Sequence, residues 1–402
     1  MRILKSVFSI ERSLGMILLV TFVGLYYADL KYNAGYLDFW RNKVFDIYQE
    51  VKPREIPAPN DKPVTIIDLD EQSLETIGQW PWPRNVLAQL VQNLMEMGAV
   101  LVAFDIVFAE PDRMNPASVA STLEGLDEET KARIKGLKSN DSIFADMIKK
   151  SRVVLGQAGR PNETEGVRGP PVKKSVAVRK LSKNSPEPYD FLPRFPSLVR
   201  NVPVIEQAAT GRFGGHGIFS VVPGKDGIVR NVPALFGHDG QYFPSLAIEM
   251  LRITTARPTV LAKVNEAGMV GVGIAKGLEV KTDRIGQIWP YFSRRDWDKY
   301  VSAADVLNGT ADPAKIKGKL TILGTSAVGL RDIRSIPTER DIPGVEVHAQ
   351  LIEAIIHKKY LTRPNYADVA ELTFLLFGGI ILIILVPWVG AKWTAALIIF
   401  VA

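Results

Sequence analysis

Two uncharged apolar runs frame the chain. Leu14 to Ala28 reads LGMILLVTFVGLYYA, and Leu372 to Ala391 reads LTFLLFGGIILIILVPWVGA. Each approaches the roughly 20 residues a helix needs to cross about 30 Å of hydrocarbon. Tyr26 and Tyr27 stand where an interfacial aromatic belt would lie, and Arg2, Lys5 and Arg12 predict a cytoplasmic N-terminus. The alternative is a cleaved signal peptide. No A-x-A site follows the apolar core, so an uncleaved anchor is expected. Beyond Lys392 a third run, WTAALIIFVA, reaches Ala402 and is too short to span. A third membrane helix continuing past Ala402 is therefore expected. The expected division is residues 1–30 as cytoplasmic N-terminus and first transmembrane helix, 31–368 as an extracytoplasmic domain, 369–391 as a second transmembrane helix and 393–402 as the start of a third.

Between the runs the pattern changes repeatedly. Trp40, Val44, Phe45 and Tyr48 fall at helical spacing in a stalk that the Pro-rich KPREIPAPNDKP ends. VTIIDL (64–69) reads as a buried strand, 84–97 as an amphipathic helix with Leu87, Leu90, Val91 and Leu94 on one face, and VLVAFDIVF (100–108) as a second buried strand. Strand, helix, strand at this spacing predicts a right-handed βαβ unit with the two strands as parallel neighbours. A helix is expected over 141–150 and a third strand over 153–156. Polar stretches near 113–140 and 160–190 read as surface insertions. Gly-Lys-Asp-Gly at 224–227 lies between strand-like runs and predicts a hairpin. Further expectations are a helix over 243–252, strands within 278–288, a short helix over 302–307, a strand at KLTIL (319–323) and a long helix over 344–360. The predicted class is α/β: a mixed sheet with a parallel βαβ core and a β-hairpin region, flanked by transmembrane α-helices.

Composition narrows the chemistry. The chain has 402 residues and no cysteine, which removes disulfides, thiolate metal sites and Cys nucleophiles. The net charge of +6 is mild, with no basic helix or aromatic-basic platform, so nucleic acid is not an expected partner. The four histidines form no H-x-x-x-H pair, and no G-x-S-x-G elbow or Walker loop is present. No metal, cofactor or catalytic residue is assigned.

The candidate ligand residues gather at predicted strand ends. Asp68 and Asp70 close the first strand, Asp105 sits near the end of the second with Glu110 beyond it, and Gly324-Thr325-Ser326 follow a third. Open α/β sheets bind ligands at that edge. The competing reading has the acids capping helices, closing turns and pairing with Arg84. Trp80-Pro81-Trp82-Pro83 is a stiff turn whose indoles either wall a ligand site or pack over the sheet edge. Gly324, Asp332, Gly344, His348 and Pro364 are expected to couple this edge to the membrane. His348 should tie the long helix to the Arg331-Asp332 loop, and Pro364 should act as a stiff joint. IIDLD also loosely resembles the D-x-D opening of haloacid-dehalogenase-type phosphotransferases. Gln72 stands where that pattern wants Thr or Val. A periplasmic hydrolase using Asp68 and Asp70 and a ligand-free envelope protein remain the alternatives.

Taken together, VTIIDLDEQSL, GQWPWPR, VLVAFDIVFAEPD, TILGTSAVGLRD and IPGVEVHAQLIEAII resemble the CHASE2 domain across about residues 35–365. The resemblance implies an extracytoplasmic sensory module of a bacterial receptor, embedded in the inner membrane. It implies a cytoplasmic output outside this chain, most often a class III adenylate or guanylate cyclase, otherwise a histidine or Ser/Thr kinase. Expected partners are the lipid bilayer, an unidentified extracytoplasmic ligand and a second copy in a homodimer.

Overall fold

The computed structural model describes residues 10–32, 35, 37–162, 175–330, 332–363 and 366–389. Pro364, Arg331 and the third apolar run lie outside them. The chain begins with α1 (Ile10–Tyr32), α2 (Asp38–Val51), β1 (Val64–Leu69), α3 (Glu71–Ile77), α4 (Arg84–Glu96) and β2 (Leu101–Phe104). Next come α5 (Pro116–Thr122), α6 (Glu128–Lys135), α7 (Asn140–Lys150), β3 (Val153–Arg160), β4 (Val176–Lys180), β5 (Ser197–Val199), α8 (Pro203–Ala208) and β6 (Gly214–Ile218). A strand-rich stretch follows: β7 (Val232–Pro233), β8 (Leu235–His238), β9 (Gln241–Pro244), α9 (Leu246–Thr254), β10 (Val260–Asn265), β11 (Gly268–Ala275), β12 (Leu278–Lys281) and β13 (Gln287–Pro290). The last elements are β14 (Tyr300–Ser302), α10 (Ala303–Asn308), β15 (Leu320–Thr325), β16 (Ile333–Ile336), β17 (Glu339–Pro343), α11 (Gly344–Ile356), β18 (Tyr360–Leu361) and α12 (Ala367–Val389).

Contacts divide the chain into two compact units, one drawn from Met1–Ile47 and Arg363–Ala402, the other Tyr48–Thr362. The larger unit is mixed α/β, with parallel and antiparallel pairing. Its main sheet runs β14-β1-β15-β2-β3-β5, and β6 also pairs with β3. All its pairings are parallel except β3 with β5. Both faces are covered, as a parallel sheet requires. Val64, Ile66, Leu101, Ala103, Leu320 and Ile322 face a core shared with α9 and α11. Ile67, Leu69, Val102, Phe104 and Leu323 face a second core shared with α4 and α7.

Several expectations change. β1 and β2 are parallel but not neighbours, because β15 lies between them, with Leu320 in register with both Val64 and Leu101. The βαβ crossover skips one position, and a strand more than 200 residues later fills it. The 224–227 turn does not join a regular hairpin, since β6 pairs in parallel with β3. A hairpin forms instead between β8 and β9 across Asp239-Gly240, both with positive φ (46° and 67°), the geometry that tight hairpin turns favour. Within the 160–190 stretch, β4 pairs with β10 in a four-stranded sheet, so that part is structural and not a surface insertion. The 113–140 stretch holds two short helices, largely exposed. The long helix ends at Ile356, not Tyr360. Lys358 takes a positive φ of 54°, and Tyr360–Leu361 then pairs with β13.

In the smaller unit, α1 and α12 each contain a stretch long and apolar enough to cross a membrane, Arg12–Tyr32 and Ala367–Leu385. Polar groups bind them together at one end. Glu371 accepts from Arg41 (2.7 Å), Arg363 (2.8 Å) and the Tyr26 hydroxyl (3.1 Å), and Arg363 also pairs with Asp368 (2.7 Å).

Candidate functional site

Because β15 sits between β1 and β2, the C-terminal edge of the sheet lines up Asp68, Ser326 and Asp105. Asp68 is buried at 5% exposure and takes two hydrogen bonds from Ser326, from the backbone N–H at 3.0 Å and the hydroxyl at 2.6 Å. Burial pushes its carboxyl up to about 6, the neighbouring Asp70 adds to the rise, and the Ser326 bonds and Arg295 oppose it. A carboxylate this close to half-ionised at mildly acidic pH is the kind of group found at functional edges.

Asp70 works differently. It caps α3 by accepting from the Ser73 N–H at 2.8 Å, and it accepts from the Ser302 hydroxyl at 2.9 Å. Ser73 and Ser302 also share a hydrogen bond of 3.0 Å. The ends of β1, β14 and β15 and the start of α3 are thus one connected polar cluster. The sequence pointed to Asp68, Asp70 and Ser326 but not to Ser73 or Ser302. Single serines at element boundaries carry no pattern of their own. Thr325 is peripheral, with its hydroxyl 3.5 Å from the Leu69 carbonyl.

The second part of the edge lies under the start of α11. Asp105 and His348 are both buried, with Asp105 Oδ1 4.0 Å from His348 Nε2. Burial raises the Asp105 carboxyl well above its ordinary range, with Asp332 adding to the rise and Arg334 opposing it. Burial pushes His348 down to about 4. His348 is therefore neutral at pH 7, and the pair is not a salt bridge. His348 Nε2 faces the Phe219 carbonyl at 2.9 Å, so that nitrogen carries the proton. The expected bond to a loop carbonyl is thus present, but the loop is the segment after β6. Gly344 makes the contact to the Asp332 loop instead, its N–H donating to the Asp332 carbonyl at 2.7 Å. Two glycines permit the close fit. A Cβ on Gly324 would lie 2.4 Å from Val345, and one on Gly344 would lie 2.0 Å from the Asp332 carboxylate. Asp332 itself pairs with Arg334 at 2.6 Å.

The aromatic turn belongs to another cluster. Trp82 is 1% exposed, donates its indole N–H to the Gly78 carbonyl at 2.7 Å and packs in the core shared with α4. Trp80 is half-buried and stacks edge-on against it at 5.7 Å. Arg84 is buried over the Phe108 ring (4.5 Å), with its backbone N–H on Asp112 (2.7 Å) and Asp141 at 3.8 Å. Glu110 is exposed, and only its carbonyl approaches Arg84, at 3.5 Å. Among the described residues none of these four shares a hydrogen bond or ion pair with Asp68 or Asp70. The WPWPR turn therefore fastens α4 to the sheet.

One buried network had no counterpart in the sequence reading. Lys299 lies between Glu346 (3.2 Å) and Glu353 (3.0 Å) of α11, Arg54 pairs with Glu353 at 2.7 Å, and the Tyr300 hydroxyl donates to Glu346 at 2.6 Å. Burial alone would lower the Lys299 pKa, but the two glutamates hold it raised. Glu346, Gln350 and Glu353 sit at helical spacing opposite the apolar stripe, the pattern of a solvated face. All three are buried at 0% exposure.

Among the described residues no group of three or more His, Asp or Glu side chains is arranged to hold a metal ion. No curated protein and no solved structure matches the chain. The CHASE2 domain model matches residues 16–386, nearly the whole length. With its strand-edge acids, WPWPR turn and PGVEVHA helix start placed in one α/β unit, the chain belongs to the CHASE2 family of extracytoplasmic sensor domains.

Proposed function

We propose that this chain is the membrane-anchored sensing part of a bacterial receptor, with residues 48–362 outside the cytoplasm and α1 and α12 in the inner membrane. The observation that carries the reading is the pair of apolar helices bracketing a CHASE2 domain and sharing the Arg41–Glu371–Arg363 cluster at one end. Three charged side chains that satisfy one another suit a membrane boundary. The output is a cytoplasmic enzyme, for which a class III adenylate or guanylate cyclase is the family-based choice, and the receptor works as a homodimer. The Asp105–His348 pair, with Gly324 packed against Val345, acts as a joint between sheet and α11, from which the chain leads through β18 to α12. Reporter fusions test the topology. Alkaline phosphatase joined near residue 200 should be active, and joined near Lys392 it should be inactive. Activity confined to the second fusion would overturn the reading.

A further inference from the structure

The C-terminal edge of the sheet is closed by its own hydrogen bonds. The opposite edge opens beside β6. At the N-terminal end of β6 a cleft of about 240 Å³ opens between the loop after α8, the start of β6 and the end of α9. Its floor is a fixed ion pair: Arg252 donates to Glu249 through Nε (2.8 Å) and Nη2 (2.6 Å), and both residues are buried. Arg252 Nη1 is held by the Arg257 carbonyl at 2.6 Å, so the guanidinium cannot swing away. Gly215 lets the β6 backbone approach this pair, since a Cβ there would lie 2.2 Å from Glu249 Oε1. His216 lines the cleft and is neutral at pH 7, because burial pushes its pKa down to about 4. Its Nε2 carries a proton to the Glu206 carbonyl (3.0 Å), which leaves Nδ1 as an acceptor.

At the mouth stand Arg212 and Arg257, both exposed and neither paired with a carboxylate among the described residues. The lining thus carries three guanidinium groups against one carboxylate. Arg212 lies over the Phe213 ring at 5.8 Å. Two cations with no carboxylate partner among the described residues, beside a rigid polar floor, favour a negative guest, because Arg recognises carboxylate and phosphate through paired donors. The volume lies below the ~300–1,000 Å³ of drug-sized pockets, so the guest is compact.

We infer that this cleft binds a small anion carrying carboxylate or phosphate groups. The inference rests on the sensor reading, for which it supplies the chemical class of the stimulus. The test is titration calorimetry on the full chain in detergent, with succinate and inorganic phosphate as probes and glycerol as the neutral control. At least one anion should bind with a Kd below about 10 mM and glycerol should not. The double variant Arg212→Ser/Arg257→Ser should weaken binding tenfold or more, the equivalent of about 1.4 kcal/mol. Arg212→Lys/Arg257→Lys should keep part of the affinity. Both positions are exposed, so melting temperatures should stay unchanged. Failure of both anions to bind, or equal binding by the Ser variant, would overturn the proposal. Hydrogen exchange across α11 and β18 separates it from the sensor reading. Binding lost in the Ser variant but without altered exchange upholds the anion cleft and removes the sensor role.

Discussion

Asp68 is the residue whose chemistry and burial disagree most usefully. Its carboxyl titrates near 6 in the folded protein and near the ordinary 3.8 in the unfolded chain. The folded state therefore binds more protons between these values, and stability falls as pH rises from about 4 to 6. The effect reaches at most about 3 kcal/mol above pH 6, by the conversion of ~1.4 kcal/mol per unit. Asp68→Asn keeps the shape. Its oxygen can still accept the Ser326 N–H, and its amide can donate to the Ser326 hydroxyl. The variant should melt higher than the parent at pH 8, by the equivalent of about 1–3 kcal/mol, and match it near pH 4. Scanning calorimetry at the two pH values checks this. A variant less stable at both would mean that the ionised carboxylate is the favoured form. Asp105 and His348 show the same logic at greater depth, since burial raises the Asp105 carboxyl and lowers the His348 imidazole where the end of β2 meets α11.

At the scale of elements, α11 holds the domain together from both of its faces. Its apolar side packs on the sheet through Val347, Leu351 and Ile355. Its polar side encloses Lys299 between two glutamates. Removing one member of a buried charged network leaves the others without compensation, at a cost of about 3–5 kcal/mol. Lys299→Met should therefore destabilise the domain by that amount, read as a lower urea midpoint at unchanged slope. A loss below about 1 kcal/mol would show the network to be solvated in practice. The same helix stops at Ile356, and the short β18–β13 pairing takes over before Arg363. Between α11 and Arg363 the chain therefore runs through a paired strand and not through one continuous helix.

For the whole molecule, the decisive feature is the late central strand. β15 pairs with both β1 and β2, which are separated from it by more than 200 residues of chain. Contacts this distant in sequence must form before the sheet is complete, which slows folding. A chain ending at Gly309 would keep β1 and β2 but leave their facing edges unpaired. It should show no cooperative melting transition by circular dichroism. A sharp transition from such a chain would mean that the first half folds as an independent domain.

The sequence alone determined what depends on local pattern. Apolar run length marked α1 and α12, periodicity marked α4 and α11, and runs of β-branched residues marked β1, β2 and β15. WPWPR with PGVEVHA was enough to suggest the family. Asp68, Asp70 and Ser326 were legible as neighbours because strand ends of a parallel sheet share one edge. Tertiary structure decided the rest. Strand order is set by which edges meet, so nothing in VTIIDL or VLVAF announces that LTILG will come between them. Whether a carboxylate caps, pairs or stays neutral depends on its partners: Asp70 found Ser73 and Ser302, and Asp105 found His348. The polar face of α11 has the spacing of a solvated surface, yet Lys299 and Arg54 arrive from distant segments and bury it. The cleft beside Arg252 joins a loop, a strand and a helix that periodicity treats separately. Periodicity reports the environment along one element, and only packing reports what the neighbouring element brings to it.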